Sequence, residues 1–197
     1  MAKDTKERIL EAALKIFSRD GYAGTNIKDI ADEVGIVKSA LYRHYASKEE
    51  IWKAVMDMMV SYYEEHFGPS NQTSVIPKTV DELYDMTMNM VHFTIHDTKI
   101  KQVRKLLITE QFRDEKMREF ANDYFLYGME ARFTKVFKAM MDAGKIKKCD
   151  PKVLAFAYTS PITSLIHLCD RDPCKIKEAM VKLQQFVILF IEEYGVE

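Results

Sequence analysis

A glycine-centred pattern between residues 25 and 48 constrains the fold more than any other feature of the chain. The segment reads TNIKDIADEVGIVKSALYRHYASK. Apolar residues recur at helical spacing as far as Val34, and Thr25 or Asn26 supplies a suitable helix start. Gly35 then ends this helix and allows a sharp turn. The pattern predicts two short helices joined by a glycine turn, followed by the start of another helix.

The second of these short helices combines an apolar back with a polar, cationic face. Its polar side chains share one side of a helical wheel: Lys38, Ser39, Tyr42 and Arg43. Ala40 and Leu41 point away from that side. Arginine and lysine reach guanine edges or phosphates, and serine and tyrosine bond phosphate oxygens. The arrangement indicates a helix-turn-helix that reads the major groove of DNA.

Two longer stretches extend this pattern, TKERILEAALKIFSRDGYAGTNIKDIADEVG and LYRHYASKEEIW. With the G-x-x-x-T link from Gly21 to Thr25, they resemble the tetracycline-repressor (TetR) family of bacterial transcription factors over about the first quarter of the chain. That family often has serine where this chain has Val37, and glycine or proline where it has Ser39. Valine has no side-chain oxygen with which to cap a helix.

The resemblance and the helical patterning imply an all-α protein of about nine helices. Residues 1–46 are expected to form a three-helix DNA-binding domain, and residues 47–197 a helical bundle for ligand binding and dimerisation. The predicted DNA contacts combine the polar face with flanking phosphate contacts, one of which, His44, is implied by the resemblance alone. They are Thr25, Lys28, Lys38, Ser39, Tyr42, Arg43, His44 and Lys48.

Net charge gives no general affinity for nucleic acid, because the chain carries a formal charge of −1. Residues 1–48 contain nine lysines and arginines against seven acidic residues. Attraction to DNA therefore depends on where the cations lie. No apolar run approaches the length of a membrane span, which predicts a cytoplasmic protein with no membrane partner.

Helix signals continue along the whole chain. The first helix is predicted from Thr5 to Arg19 with Gly21 ending it, and the fourth from Ser47 to about His66. Ser47 and Glu50 form a capping-box pattern. Residues 68–78 read as an exposed loop. Five further helices are predicted at about 80–96, 98–112, 115–143, 151–169 and 173–194.

The last two helices are apolar over much of their circumference, which favours a four-helix seam with a second copy of the chain. The alternative is a core within one chain. The predicted dimer contacts are Leu154, Tyr158, Ile162, Leu165, Met180, Leu183, Phe186, Val187 and Phe190.

The middle helices carry many aromatic residues and much of the chain's unusually high total of 12 methionines. Methionine forms adaptable apolar walls, and spaces between bundle helices are common ligand sites. The predicted ligand contacts are Met59, Tyr63, His66, Met88, His92, His96, Glu110, Phe112 and Tyr127. Each can instead be an ordinary core residue. His92 and His96 share a helix face, but two histidines do not complete a metal site, so no metal or cofactor is expected.

No catalytic motif accompanies these features: there is no P-loop, GxGxxG or GxSxG. The sequence thus predicts a non-enzymatic regulator, a homodimeric repressor released from a double-stranded DNA operator by an unidentified small apolar or amphipathic inducer. The competing hypothesis is a helical ligand- or metal-binding protein that does not read DNA.

Overall fold

Helices form nearly all of the ordered framework. The computed structural model describes residues 4–67, 76–113 and 115–196. The helices are α1 (Thr5–Gly24), α2 (Ile27–Val34), α3 (Lys38–Leu41), α4 (Lys48–Phe67), α5 (Val80–His96), α6 (Thr98–Glu110), α7 (Glu115–Asn122), α8 (Gly128–Asp142), α9 (Pro151–Arg171) and α10 (Ile176–Tyr194). The predicted all-α fold is confirmed. Most of the predicted loop at 68–78 lies outside the described residues.

The helix predicted over residues 115–143 is interrupted. A π-helical turn, Asp123–Tyr127, separates α7 from α8. Gly128 closes this turn, and a Cβ at that position would lie 2.8 Å from the Asp123 carbonyl oxygen. Periodicity alone does not show such a one-residue insertion. If this run is counted as one interrupted helix, the described residues form the predicted nine. None of their helices is long and apolar enough to cross a membrane.

The chain divides into two compact units. The first contains Met1–His66 and Thr98–Arg118, and the second contains Phe67–Asp97 and Glu119–Glu197. This division by packing differs from the functional division into residues 1–46 and 47–197, because α4 and α6 belong to the same unit as the three N-terminal helices. The functional division stays a prediction.

Aromatic packing joins α4 to α1 in the first unit. The Trp52 ring lies 5.5 Å from the Phe17 ring and 5.7 Å from the Tyr22 ring, measured between centroids. The predicted cap of α4 is also present, since Ser47 Oγ accepts a hydrogen bond from the Glu50 amide at 3.1 Å. The Glu50 carboxylate in turn accepts from the Ala46 amide at 2.6 Å. The start of α4 is therefore held both by packing and by its cap.

The end of α1 follows the prediction in part. Gly21 has φ 77° and ψ 164°, so the helix is interrupted at the predicted residue, but a further helical turn continues to Gly24. A Cβ on Gly21 would lie 2.7 Å from Oε1 of Glu110 on α6. Glycine at this position thus permits both the left-handed backbone and the close approach of α6.

Gly35 ends α2 as the sequence predicts. Its φ is 77°, and its amide donates toward the carbonyls of Ala31 and Asp32. The next amide, that of Ile36, donates to the Ala31 carbonyl at 3.0 Å. Arg8 on α1 satisfies the Val34 carbonyl at 2.6 Å. The left-handed residue and these bonds close the helix and turn the chain toward α3.

A buried tyrosine organises the second unit. Tyr158 on α9 is inaccessible to solvent, and its hydroxyl lies 2.8 Å from the hydroxyl of Thr87 on α5. Burial raises the pKa of Tyr158, so the neutral phenol is retained. Its ring contacts those of Phe133, Phe137, Phe186 and Phe190. This cluster draws α5, α8, α9 and α10 around one core.

The two left-handed glycines of the first unit offer a matched test. Gly35→Ala should lower the free energy of unfolding by about 1 kcal/mol, the cost of a left-handed alanine, because no atom lies within 4 Å of the added Cβ. Gly21→Ala should cost more, because the backbone there (φ 77°, ψ 164°) lies in a region essentially confined to glycine and because Glu110 must also move. Urea unfolding followed by Trp52 emission measures both. Gly24→Ala is the control. Gly24 has no positive φ, so this substitution should not lower the free energy of unfolding. Equal losses at positions 21 and 35 would contradict this account of Gly21.

Candidate DNA-reading surface and other predicted sites

The short helix α3 is anchored by one side chain and exposes most of the others. Leu41 is fully buried, and the Asp29 carboxylate helps fix the preceding helix by accepting from the Asn26 amide at 3.1 Å. Val37 precedes α3 in an extended conformation and makes no side-chain cap bond, as the sequence predicts. The helix is therefore held by its apolar back while its polar side faces solvent.

The predicted base and phosphate contacts on this surface are largely exposed: Lys28, Lys38, Ser39, Tyr42 and Arg43. His44 is half-buried. The Lys38 ammonium lies 5.7 Å from the centre of the Tyr42 ring. Neither Lys38 nor Arg43 forms an ion pair with any residue that the structure describes. Their charges remain available to an external anion.

Two other cations of the first unit, Lys15 and Arg19, are already paired. Lys15 Nζ lies 2.6 Å from Glu33 Oε1, and this hydrogen bond lowers the pKa of the Glu33 carboxyl. Arg19 pairs with Asp20 at 2.7 Å, and its hydrogen bond lowers the pKa of Asp20. These two cations are satisfied within the unit, whereas Lys38 and Arg43 have no ion-pair partner among the described residues.

Two predicted phosphate contacts already have hydrogen-bond partners within the chain. Thr25 is 2% exposed, and its hydroxyl donates to the Gly21 carbonyl at 2.7 Å. The Lys48 ammonium donates to the carbonyls of Tyr22 and Thr25 at 2.7 and 3.1 Å and lies 4.6 Å from the centre of the Tyr22 ring. The Thr25 hydroxyl is thus not offered to solvent, and Lys48 retains one N–H for another acceptor.

The predicted ligand contacts of the first unit have different environments. Met59 and Glu110 are buried, and Tyr63 is half-buried. Glu110 accepts a hydrogen bond from Arg113 at 3.1 Å. His66 is exposed, with Nδ1 2.8 Å from the Tyr62 carbonyl oxygen. Phe112 lies in the turn after α6 and is 88% exposed, because α6 ends two residues before it. Phe112 therefore forms no part of an apolar wall within its own unit.

The predicted contacts of the second unit also include exposed residues. Met88 is half-buried, while Tyr127, His92 and His96 are exposed. The two histidine rings stack with centroids 4.2 Å apart, and His96 Nδ1 lies 2.8 Å from the His92 carbonyl oxygen. Among the residues described, no group of three or more His, Cys, Asp and Glu side chains is arranged to hold a metal.

An aromatic cluster beside the π-helical turn was not among the predicted contacts. The Phe125 ring meets the His167 ring edge-on, with centroids 4.9 Å apart, and Tyr124 packs edge-on against Phe125 at 5.3 Å. All three side chains are only half-buried. The aromatic run at 124–127 signals such a cluster, but the π-helical turn that aims these side chains has no comparable signature in the sequence.

The predicted dimer contacts are mostly core residues of a single chain. Buried within the described residues are Leu154, Tyr158, Ile162, Leu183, Val187 and Phe190. Leu165, Met180 and Phe186 are half-buried. Their placement favours the alternative of an intrachain core, because both helices use this stripe to pack on α5 and α8 and on each other.

A second apolar stripe remains exposed on the same two helices, displaced by about one residue from the core stripe. Val153, Phe156 and Leu189 are 64%, 51% and 63% exposed. Val181 and Ile188 are also exposed. On α9, exposed Ala157 and half-buried Ser160 continue the stripe with small side chains. We call this set the exposed α9–α10 stripe. Exposed apolar residues grouped on one pair of helices are typical of a surface that contacts another protein.

Comparison with protein families gives a match that is confined to the N-terminal region. The family described as "Bacterial regulatory proteins, tetR family" matches residues 9–55. This interval contains most of α1, all of α2 and α3, and the start of α4. The match therefore falls on the surface described above.

Curated relatives include the biofilm operon icaADBC HTH-type negative transcriptional regulator IcaR from two staphylococci. The Staphylococcus epidermidis protein is 30% identical over 96 residues, which are 49% of this chain and 50% of that protein. The chain thus spans about half the length of this relative. The Staphylococcus aureus protein is 26% identical over 144 residues, or 72% of each chain.

Solved structures share the fold over nearly the whole chain. SmeT, the repressor of the Stenotrophomonas maltophilia multidrug efflux pump SmeDEF, matches with a TM-score of 0.74 and 18% identity, covering 99% of this chain and 92% of that one. The SmeT–triclosan complex gives a TM-score of 0.81 with 17% identity, over 99% and 93% of the two chains. At this identity the likeness concerns the fold.

Proposed function

Since this chain belongs to the tetR family of bacterial regulatory proteins, we propose that it is a dimeric transcriptional repressor, released from its DNA operator by a small apolar or amphipathic ligand. The observation that carries the proposal is the exposed surface of α3, where Lys38 and Arg43 have no ion-pair partner among the described residues. A repressor of bacterial genes acts in the cytoplasm, where its operator lies. This membership also assigns the chain to regulators rather than enzymes.

The proposed DNA contact has two parts. Lys38, Ser39 and Arg43 read base edges, for which arginine and lysine on guanine are the commonest pairing. Lys28, Tyr42 and His44 contact the phosphate backbone, which positions the protein without reading sequence. Lys48 adds at most one hydrogen bond, because its ammonium already holds the end of α1. The Thr25 hydroxyl is buried and bonded to the Gly21 carbonyl, so its proposed role is to hold the local structure rather than to contact DNA.

The DNA proposal predicts different effects for the two kinds of contact. Arg43→Ala should weaken the specific duplex by about 1–3 kcal/mol and relax preference at one base position, whereas Lys28→Ala should weaken all duplexes similarly and reduce the salt slope by about one. Fluorescence anisotropy with the DNA flanking the protein's own gene and with random duplexes, over a range of salt, measures both. Lys182→Ala removes a positive charge from α10 and should change neither quantity. Unchanged affinity in both the Arg43→Ala and Lys28→Ala variants would contradict the assignment. The competing hypothesis of a helical protein that does not read DNA would then be favoured.

We place the dimer contact on the exposed α9–α10 stripe rather than on the buried residues first predicted. A two-fold partner would cover Phe156 and Leu189, and the small residues Ala157 and Ser160 would let two helices approach closely. Two copies also supply two recognition helices, which meet successive major grooves when they lie about 34 Å apart. The stripe supports the proposal because intrachain packing leaves it uncovered.

The dimer proposal is tested by placing a charge on this stripe. Phe156→Glu should yield a monomer and weaken operator binding strongly, because a buried unpaired carboxylate costs several kcal/mol. Sedimentation equilibrium measures the mass. Phe112→Glu is the matched control, since it replaces an even more exposed phenylalanine outside the stripe and should leave the dimer intact. A wild-type monomer at micromolar concentration would overturn the proposal.

The proposed ligand site includes the half-buried cluster of Tyr124, Phe125 and His167 beside the π-helical turn. Such turns occur frequently at functional sites, and this cluster offers aromatic faces together with one imidazole. The fold shared with SmeT, which has been solved as a complex with triclosan, supports a ligand of similar apolar character. Met88 and Tyr127 stay predicted contacts in the same unit.

Ligand and DNA should influence each other through the backbone connections between the units. The chain passes from one unit to the other at residues 66 and 67, 97 and 98, and 118 and 119. The first of these lies at the end of α4, the helix whose other end carries Lys48 and Trp52. A ligand that favours one conformation of the second unit can therefore change the first, with an ordinary coupling of about 1–3 kcal/mol.

This coupling predicts a reciprocal effect. A compound that binds the second unit should weaken operator binding by about 5–150-fold and should itself bind the operator complex more weakly by the same factor. Titration with triclosan and related amphipathic phenols, followed by Trp52 emission and by operator affinity, measures both. Phe125→Ala should lose the ligand effect and retain operator binding. A ligand that binds this unit and leaves operator affinity unchanged would contradict the switch.

A further inference from the structure

Val37, the residue immediately before α3, has an exposed side chain with no evident structural role in the free protein. The side chain is 68% exposed. Its carbonyl accepts from the Ala40 and Leu41 amides at 2.9 and 3.3 Å, so the backbone is fixed as the start of the helix. The side chain makes no cap bond, and it contributes little to the core. Serine, threonine, aspartate or asparagine would cap the helix better at this position.

The surroundings of Val37 are polar and cationic. Lys38 and Ser39 follow it directly, and Tyr42 and Arg43 lie one turn further on; all four side chains are exposed. Val37 is thus a branched apolar group at the leading end of a surface whose other members suit phosphates and guanine edges. An apolar group at that place has one natural counterpart in a major groove, because only thymine presents a methyl group there.

We propose that Val37 is a specificity-determining residue that packs against the C5-methyl group of a thymine in each operator half-site. The inference rests on the proposed DNA-reading function and deepens it by naming a base. In helix-turn-helix proteins, the N-terminal residues of the recognition helix contact base edges. Val37 directly precedes Lys38, so its methyl groups would lie next to the base that the Lys38 ammonium contacts. The operator should contain a thymine adjacent to a guanine at this contact.

The contact can be tested by removing the methyl group from the DNA. The full chain first selects its preferred sites from a random duplex pool, and each thymine of the selected site is then replaced by deoxyuridine. Deoxyuridine retains the base pair and lacks only the C5-methyl group. For the wild type, replacement at one thymine per half-site should lower affinity by about fourfold, corresponding to one buried methyl.

The protein variants complete a double-mutant cycle. Val37→Ala should bind the thymine and deoxyuridine duplexes equally, while Val60→Ala should retain the fourfold difference. Val60 is a matched control, since it is an exposed valine of the same unit, on α4 rather than α3. Val37→Ser is a second test variant: serine is a favourable helix cap, so this chain should fold at least as well and still lose the difference.

The outcomes separate this inference from the function on which it rests. Sequence-specific binding in which Val37→Ala and Val37→Ser keep the wild-type thymine preference would overturn the assignment of Val37 and leave the proposed repressor intact. Specific binding by the wild type with no deoxyuridine effect at any thymine would overturn it equally. Failure of the wild type to select any sequence would overturn the proposed function and this inference together. An unchanged urea midpoint in Trp52 emission would show that the variants are folded.

Discussion

One ammonium group joins the two ends of the segment that carries the candidate reading surface. Lys48 Nζ, at the first residue of α4, donates to two carbonyls at the end of α1 and lies over the Tyr22 ring. The segment between these points, residues 26–47, contains α2, the Gly35 turn and α3. A positive charge near a helix C-terminus is also favoured by the helix dipole. One side chain thus closes the loop that carries the entire candidate reading surface.

Around this closure, the first unit is stabilised by contacts between distant parts of the sequence. Lys99 on α6 pairs with Glu11 on α1 at 3.4 Å and lies 5.1 Å from the centre of the Tyr62 ring on α4. Glu110, at the other end of α6, approaches the Gly21 kink. Ion pairs that remain partly open to solvent, such as Lys99–Glu11, add little stability on their own. Their significance is positional, since they connect α6 at both ends to the helix that supports α2 and α3.

Local signals in the sequence predicted local structure well. The all-α fold, the Gly35 turn, the cap at Ser47 and the start of α5 at Val80 all follow from spacing and capping residues. The sequence also predicted a helix break at Gly21, but not the helical turn that follows it as far as Gly24. The π-helical turn was missed, because it shifts the helical register without a breaking residue. For Thr25 and Lys48, the polar residue type correctly indicated that the side chains form hydrogen bonds. In the structure, these side chains donate to backbone carbonyls of the same chain.

The last two helices show why periodicity cannot separate a core from an interface. Both have two apolar stripes, and spacing alone gives no reason to assign either of them to an intrachain contact. The structure buries the stripe that contains Tyr158 and Leu183 and exposes the one that contains Phe156 and Leu189. Burial by α5 and α8 is a tertiary property, so the assignment required the fold. The same limit applies to the ligand contacts, several of which proved to be exposed.

The exposure of residues in and around the short helix α3 also affects how such a protein can evolve. Only Leu41 of its four residues is buried, and Val37, Tyr42 and Arg43 on either side are exposed. Substitutions at these exposed positions meet few packing constraints, so they carry little penalty for folding. Gene duplication followed by one or two such changes could therefore redirect a copy to a new promoter while the scaffold stayed the same.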